Sequence, residues 1–170
     1  MKYKRKILGK TDYKKRLSLV KSRLPRLVVR KSLKNILAQI IEFHENGDKV
    51  LLSASTKELE KKYNLKSSRK NLPSAYLLGL LIGKKALQKN IKKVILDMGL
   101  YRNVKGSRIY AVLKGTLDAG LEIPHNKNIL PSQDRLEGKH IITHYQNQKK
   151  PYKIPDLGKH INEIKAKILK

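Results

Sequence analysis

Residues 26–55 read RLVVRKSLKNILAQIIEFHENGDKVLLSAS, and this stretch decides the predicted fold. It contains three apolar runs, Leu27–Val29, Ile36–Phe43 and Val50–Leu52, separated by short polar links. The second link includes an Asn-Gly dipeptide, which favours a tight turn because both residue types tolerate positive φ. Three such runs joined by short links predict an antiparallel three-strand meander.

Four cations lie on or beside the first run and the link that follows it. They are Arg26, Arg30, Lys31 and Lys34. A sheet holds its side chains at fixed spacings, so it can present cations to a fixed pattern of phosphates. Each arginine can donate two parallel N–H bonds to one phosphate, whereas each lysine acts as a point charge. We therefore expect this part of the meander to be a phosphate-binding surface.

The composition also indicates a polyanionic partner. The 170 residues include 40 Lys or Arg against 13 Asp or Glu, a formal net charge of +27. Self-repulsion at this charge destabilises the compact state unless a polyanion neutralises it. Nucleic acid is the natural candidate, since no apolar run approaches the roughly twenty residues of a membrane-spanning helix. The lack of cysteine fits a reducing cytosol, and the N-terminal residues lack the apolar core of a signal peptide.

The segment from Met1 to Leu24 is the most basic part of the chain. Ten of its residues are Lys or Arg, and Asp12 is its one acid. A short helix is predicted to begin after Thr11 or Asp12, either of which can cap it. We expect the rest to be an extended arm that is disordered alone and becomes ordered when RNA neutralises its charge. The alternative is a solvated tail that contacts nothing.

The most apolar segment, Pro73–Asn90, predicts a long buried helix. Leucine, isoleucine and alanine recur at helical spacing around most of its circumference. Gly79 and Gly83 share one face, where they would let another element approach closely, although each costs about 1 kcal/mol relative to alanine. Gly83-Lys84 does not complete a phosphate-binding loop, because the two glycines are one residue too close and Lys85 stands where Ser or Thr is needed.

The neighbouring segments complete an α/β pattern. Thr56 is predicted to cap a short helix before the long one. Ile91–Asp97 predicts a strand, and Ser107 is expected to cap a second long helix that ends at Gly120. This alternation predicts a parallel β-α-β crossover added to the meander, and hence a mixed sheet with both long helices packed on it.

The composition changes after residue 120. Two prolines and weak periodicity from Leu121 to His140 predict an extended segment laid over the surface. Leu157–Leu169 predicts a final basic helix with one apolar face, which could dock on the domain, on RNA or on a neighbouring protein. The predicted organisation is a basic arm with a short helix over 1–24, a globular α/β domain over 25–122, and an extended C-terminal segment over 123–170 ending in that helix.

The sequence shows no clear constellation for catalysis. Two-metal hydrolysis needs clustered carboxylates, and only Asp97 is placed like a strand-end catalytic acid; we expect it to cap a turn or pair with the basic loop after it. His140 and His144 have the spacing of metal ligands on a helix, but they lie in a β-branched run without an evident third ligand. We therefore predict no metal, no cofactor and no small-molecule substrate. A nuclease and a general basic nucleic-acid chaperone or DNA-packaging protein remain alternatives.

Several motifs together resemble one protein family in order and spacing. They are PRLVVRKS at 25–32, AQII at 38–41, GDKVLLSAST at 47–56, NLPSAYLLGLLIGKKA at 71–86, VILDMGL at 94–100 and LPSQDRLEGKHI at 130–141. These motifs resemble the ribosomal large-subunit protein eighteen family in its archaeal form, whose eukaryotic member is large-subunit protein five. The resemblance implies a fold similar to the ribonuclease-H-like motif but without its catalytic carboxylates, and therefore a protein that is not an enzyme.

The resemblance also implies a function. Members of this family bind 5S ribosomal RNA, contact the large-subunit ribosomal RNA and, with neighbouring ribosomal proteins, build the central protuberance of the cytoplasmic ribosome. Leu33 departs from the asparagine that relatives often carry in the first turn, which removes one polar contact and leaves Lys31 and Lys34. The predicted RNA-binding residues are Tyr3, Lys4, Arg5, Lys10, Tyr13, Arg16, Lys21, Arg23, Arg26, Arg30, Lys31, Ser32, Lys34, Tyr101, Arg102, Lys105 and Arg108.

Overall fold

The computed structural model describes residues 3–148 and 156–169. The strands are β1 (Arg26–Lys31), β2 (Ile36–Glu42), β3 (Lys49–Ser55) and β4 (Ile95–Asp97). The α-helices are α1 (Lys4–Ile7), α2 (Tyr13–Val20), α3 (Thr56–Tyr63), α4 (Leu72–Gln88), α5 (Arg108–Asp118), α6 (Gln133–Glu137), α7 (Lys139–Asn147) and α8 (Leu157–Leu169), and a short 3-10 helix spans Lys127–Ile129. None of these helices is long and apolar enough to cross a membrane.

The four strands form one mixed sheet in the order β3-β2-β1-β4. β2 pairs antiparallel with both β1 and β3, and β4 pairs parallel with β1. The predicted meander with an added parallel strand is therefore confirmed. β4 is shorter than the predicted strand, because Lys93 makes an isolated bridge to Glu122 instead of continuing the pairing with β1.

The pleat of the sheet gives β1 two different faces. Leu27 and Val29 point toward the helices and belong to the main hydrophobic core. Val28 and Arg30 point to the opposite face, where Val28 is buried outside that core and Arg30 is exposed. Because side chains alternate along a strand, Arg30 and Lys31 project to opposite sides of the sheet, although they are neighbours in sequence.

Helix α4 is the centre of the core. The Asn71 side chain caps it by accepting the Ser74 N–H at 2.8 Å, and Pro73 stands in its first turn, where the missing N–H has no cost. Every residue from Leu72 to Gly83 is buried. The predicted buried helix is therefore confirmed, and it packs on the sheet and on helix α5.

Helices α4 and α5 meet with their backbones close together. A Cβ built on Gly79 would overlap the Val112 carbonyl oxygen, and one built on Gly115 would overlap the Tyr76 carbonyl oxygen. The predicted close approach at Gly79 is confirmed. Its partner is a helix rather than the sheet, so α5 packs mainly on α4 and not on the sheet as predicted.

The cap of α3 lies one residue earlier than predicted. Ser55 is the N-cap, and its Oγ accepts the Glu58 N–H at 3.4 Å. Thr56 is fully buried, and its Oγ1 accepts the Ile36 N–H at 3.0 Å, which joins α3 to β2. Ser107 occupies the N-cap position of α5, as predicted.

Residues 133–147 are largely helical, in α6 and α7, which corrects the prediction of an extended chain up to His140; residues 121–132 form no α-helix and contain the short 3-10 helix. The HIITH run of residues 140–144 lies within α7, because Ile141 and Ile142 pack against the core and this contact outweighs the low helix propensity of β-branched residues. Helix α8 has the predicted bounds, and it docks on the domain with Leu157, Ile161 and other apolar residues buried. Residues 149–155 of the predicted extended segment lie outside the described residues.

Candidate nucleic-acid interface

The Arg26 guanidinium is buried between two carboxylates. Nη1 donates to Asp97 Oδ2 and Nη2 donates to Asp48 Oδ2, both at 2.7 Å. The residue is only 4% exposed. A buried cation needs paired charges, and Arg26 finds them within the protein. Arg26 was predicted to bind phosphate, but because its guanidinium is turned inward and paired, we leave it out of the candidate interface.

Asp97 has a structural role. Besides its pair with Arg26, its Oδ1 accepts the Gly99 N–H at 2.9 Å and so caps the turn after β4. The predicted turn cap is confirmed, whereas the ionic partner comes from β1 rather than from the following basic loop. No group of three or more potential ligands among the described residues could hold a metal ion, although His140 and His144 lie one turn apart on α7.

The turn between β1 and β2 is closed by its own side chains. The Ser32 N–H donates to the Asn35 carbonyl oxygen at 2.8 Å, and Ser32 Oγ accepts the Asn35 N–H at 2.9 Å. The Ser32 hydroxyl therefore shapes the turn, although Ser32 itself is exposed. Lys34 is also exposed, and Leu33 at the tip is 89% exposed.

Tyr101 joins the loop after β4 to the end of β1. Its hydroxyl accepts the Lys31 N–H and donates to the Lys31 carbonyl oxygen, each at 3.0 Å. The Lys31 ammonium lies 4.5 Å from the centre of the Tyr101 ring. Partial burial and the nearby charge of Arg108 lower the pKa of Lys31. The β1–β2 turn and the loop after β4 are therefore fastened into one surface.

Three further predicted cations lie in the loop after β4 and at the start of α5. Arg102 and Lys105 are exposed. Arg108 begins α5, and its Nη1 donates to the Lys70 carbonyl oxygen at 3.0 Å. After the larger effect of burial, the charge of Arg108 also lowers the pKa of Lys31.

The N-terminal arm is more ordered than the predicted extended chain. Asp12 caps α2 by accepting the Lys14 and Lys15 N–H groups, which confirms one of the two predicted caps. The Tyr3 and Tyr13 rings stack with their centroids 4.8 Å apart. A further short helix, α1, precedes α2 where the sequence predicted an extended chain.

One ion pair attaches the arm to the sheet domain. Arg16 Nη2 donates to Asp48 Oδ1 at 3.0 Å, and Asp48 lies in the link between β2 and β3. Sequence patterns had indicated no role for Asp48. The pairing of Glu42 with Lys49 places Asp48 at the end of the β2–β3 hairpin, but the two arginines that meet it there come from distant parts of the chain.

The predicted binding residues differ in how much of each faces solvent. Arg26 is buried, and Tyr13, Arg16, Lys31, Tyr101 and Arg108 are half-buried. The exposed ones are Tyr3, Lys4, Arg5, Lys10, Lys21, Arg23, Arg30, Ser32, Lys34, Arg102 and Lys105. The structure thus brings the β1–β2 turn and the loop after β4 together, and it links the arm to them through Asp48 and Arg26.

The comparisons with known proteins define the class first. The family described as "Ribosomal large subunit proteins 60S L5, and 50S L18" matches residues 1–93 and 88–126. The protein is therefore a structural, non-enzymatic constituent of the large ribosomal subunit, and its location is the cytoplasmic ribosome. Association with ribosomal RNA is a general property of this class. These findings set the nuclease alternative aside.

Individual relatives define the family. The "Large ribosomal subunit protein uL18" of Caldivirga maquilingensis is 45% identical over an alignment of 185 positions, which covers 99% of this chain and 89% of that protein. The protein of the same name from Methanococcus maripaludis is 44% identical over an alignment of 182 positions, which covers 98% of this chain and 94% of that protein. This chain belongs to the uL18 family in its archaeal form, and the predicted resemblance is confirmed.

Proposed function

We propose that this protein binds 5S ribosomal RNA and attaches it to the large-subunit ribosomal RNA, as part of the central protuberance. The observation that supports this proposal is the surface formed by the β1–β2 turn and the loop after β4. Tyr101 holds the two segments together through both backbone groups of Lys31. A pre-organised set of cations loses less entropy on binding than a flexible one.

The arm and this surface have different tasks in the proposal. Burial and the charge of Arg108 lower the pKa of Lys31, and a phosphate bound beside Lys31 would favour its charged form. Arg30, on the opposite face of the sheet, reaches a second part of the RNA. The arm adds the exposed cations of residues 4–10 and 21–23 along the RNA backbone. Recognition then depends on the folded shape of the RNA, its 2′-hydroxyls and its loops.

A salt titration with matched variants tests this proposal. The variant Arg30→Ala/Lys31→Ala/Lys34→Ala removes three cations from β1 and the β1–β2 turn. The control Lys57→Ala/Lys61→Ala/Lys66→Ala removes the same charge from exposed residues of α3 and the loop after it. We expect the first variant to weaken 5S ribosomal RNA binding and to reduce the slope of log K against log salt by about 0.9 for each phosphate that it no longer neutralises. The control should change both quantities much less.

Two outcomes would contradict the proposal. If both triple variants weaken binding equally, the affinity follows net charge and not this surface. If the protein binds duplex DNA as tightly as 5S ribosomal RNA at matched salt, it acts as a general basic nucleic-acid chaperone or DNA-packaging protein.

A further inference from the structure

Two carboxylates outside the basic arm, Asp48 and Asp97, share one buried arginine. Asp48 and Asp97 each accept a hydrogen bond at 2.7 Å from Arg26, from Nη2 and Nη1 respectively. Each also uses its second oxygen, Asp48 toward Arg16 of α2 and Asp97 toward the Gly99 N–H. The result is a continuous chain of charge-assisted hydrogen bonds from the arm, through β1, to the loop after β4.

This chain connects three of the segments that carry predicted RNA ligands. Arg16 lies on the arm, Arg26 on β1, and Asp97 at the end of β4. Two residues beyond Gly99, Tyr101 bonds both backbone groups of Lys31 at the start of the β1–β2 turn. Without acids at these points, the arm and the sheet would repel each other, because like charges at short range are unfavourable.

Charge alone predicts that the two acids weaken RNA binding. A carboxylate near an RNA-binding surface repels phosphates, so its removal should tighten binding. Here, however, Asp48 and Asp97 are engaged by arginines, and the Arg26 side chain is only 5% exposed. Loss of either acid removes one of the two carboxylates that neutralise the buried Arg26 guanidinium, and a buried charge that is not fully compensated is strongly unfavourable.

We propose that Asp48 and Asp97 are positioning residues for ribosomal RNA binding, and that they act through Arg26. Asp48 holds α2 against the edge of the sheet, so the arm and the β1–β2 turn engage RNA in one fixed arrangement. Asp97 fixes the start of the loop after β4, so Arg102 and Lys105 are presented beside that turn. The proposal rests on the binding of ribosomal RNA proposed above, and it adds the residues that arrange the RNA-binding surface.

The variant Asp48→Asn, with Glu45→Gln as its matched control, tests this proposal. Glu45 lies three residues away in the same exposed loop and forms no ion pair with a described residue. Both variants remove one negative charge. We expect Asp48→Asn to weaken 5S ribosomal RNA binding by about tenfold, the effect of losing one charged hydrogen bond, and to reduce the salt slope. Glu45→Gln should bind as tightly as the wild type or more tightly, and Asp48→Glu should restore much of the loss.

Hydrogen exchange of residues 13–20 without RNA supplies a readout that is independent of the ligand. Asp48→Asn should speed exchange in α2 while leaving exchange in the buried α4 unchanged, and Asp97→Asn should speed it in the loop after β4. Unchanged exchange in α2, or equal effects of Asp48→Asn and Glu45→Gln on RNA affinity, would overturn the proposal. If the wild type fails to bind 5S ribosomal RNA, the proposed function fails, and the same variants can be measured on large-subunit ribosomal RNA.

Discussion

The Tyr101 hydroxyl bonds both backbone groups of Lys31, accepting from its N–H and donating to its carbonyl oxygen at 3.0 Å each. This pairing lies where β1 ends, beyond the partners that the parallel β4 provides. A side chain thus continues the hydrogen bonding of the sheet edge and connects the two basic segments of the candidate interface.

The variant Tyr101→Phe should lose both of these hydrogen bonds. We expect thermal unfolding to show a loss of about 1–2 kcal/mol, because two half-buried backbone groups lose their partner. RNA affinity should fall as well, since the loop after β4 is released. Tyr63→Phe is the control, because the Tyr63 hydroxyl makes no hydrogen bond with a described residue. Equal stability of the two variants would contradict this role of Tyr101.

The close approach of α4 and α5 predicts an unusual response to alanine. Gly79→Ala should destabilise the protein by about 1–3 kcal/mol, because the new methyl group overlaps the Val112 carbonyl oxygen and the helices must separate. Gly158→Ala in α8 meets no atom within 4 Å, so it should be neutral or stabilising by about 0.5 kcal/mol. Urea unfolding of both variants measures the difference. A stabilised Gly79→Ala protein would show that the two helices are not in tight contact.

His160 predicts a dependence of stability on pH. Its Nε2 accepts the Lys66 N–H at 3.3 Å, which ties α8 to the loop after α3. Burial lowers the pKa of His160 below its ordinary 6.5. The charge of Glu163 opposes this effect, whereas the charges of Lys66 and Lys167 add to it. The unfolded chain therefore binds the proton more readily, so the stabilisation is complete above about pH 6.5 and is lost as the pH falls through the lowered folded-state pKa.

Replacement of this histidine measures its share of the effect. His160→Gln keeps an acceptor for the Lys66 N–H but does not titrate. Between about pH 7.5 and pH 5.5, the range in which histidine titrates, urea unfolding should show a smaller loss of stability for this variant than for the wild type. Some dependence will remain, because burial and Arg135 also lower the pKa of His140. Identical pH profiles would exclude His160 as the cause.

Lys85 of α4 and Lys89 at its C-cap cover the outer edge of the sheet. β3 is the terminal strand, and its Ser53 and Leu51 carbonyl oxygens accept from Lys85 Nζ at 3.3 Å and Lys89 Nζ at 3.1 Å. Unpaired strand edges promote association between chains. We therefore expect Lys85→Ala/Lys89→Ala to aggregate more than the wild type on mild heating, as measured by light scattering. The control Lys84→Ala/Lys92→Ala loses the same charge, and equal aggregation of the two variants would attribute the effect to charge alone.

Local patterns predicted the elements whose partners are near in sequence. The apolar runs of residues 27–52 are separated by short links, so they can pair only as a meander. The apolar circumference of α4 required burial, and Gly79 and Gly83 indicated a close neighbour. These features depend only on the spacing of residues along the chain, which can be read directly from the sequence.

Long-range partners explain what the sequence patterns could not predict. Asp48 and Asp97 are 22 and 71 residues from Arg26 in sequence, so Arg26 looked like a free cation and Asp48 received no role. The helices after residue 132 likewise depend on burial of Leu136 and the apolar face of α8 against the core. Its local signals, two prolines and β-branched residues, favoured an extended chain.

Crosslinking of the wild-type protein to 5S ribosomal RNA, with the linked peptides mapped by mass spectrometry, tests the central claim most directly. The proposed function predicts crosslinks in the arm, in the β1–β2 turn around Lys31 and Lys34, and in the loop from Tyr101 to Lys105. Crosslinks confined to α3, α7 and α8, with the arm and the β1–β2 turn unmodified, would contradict it.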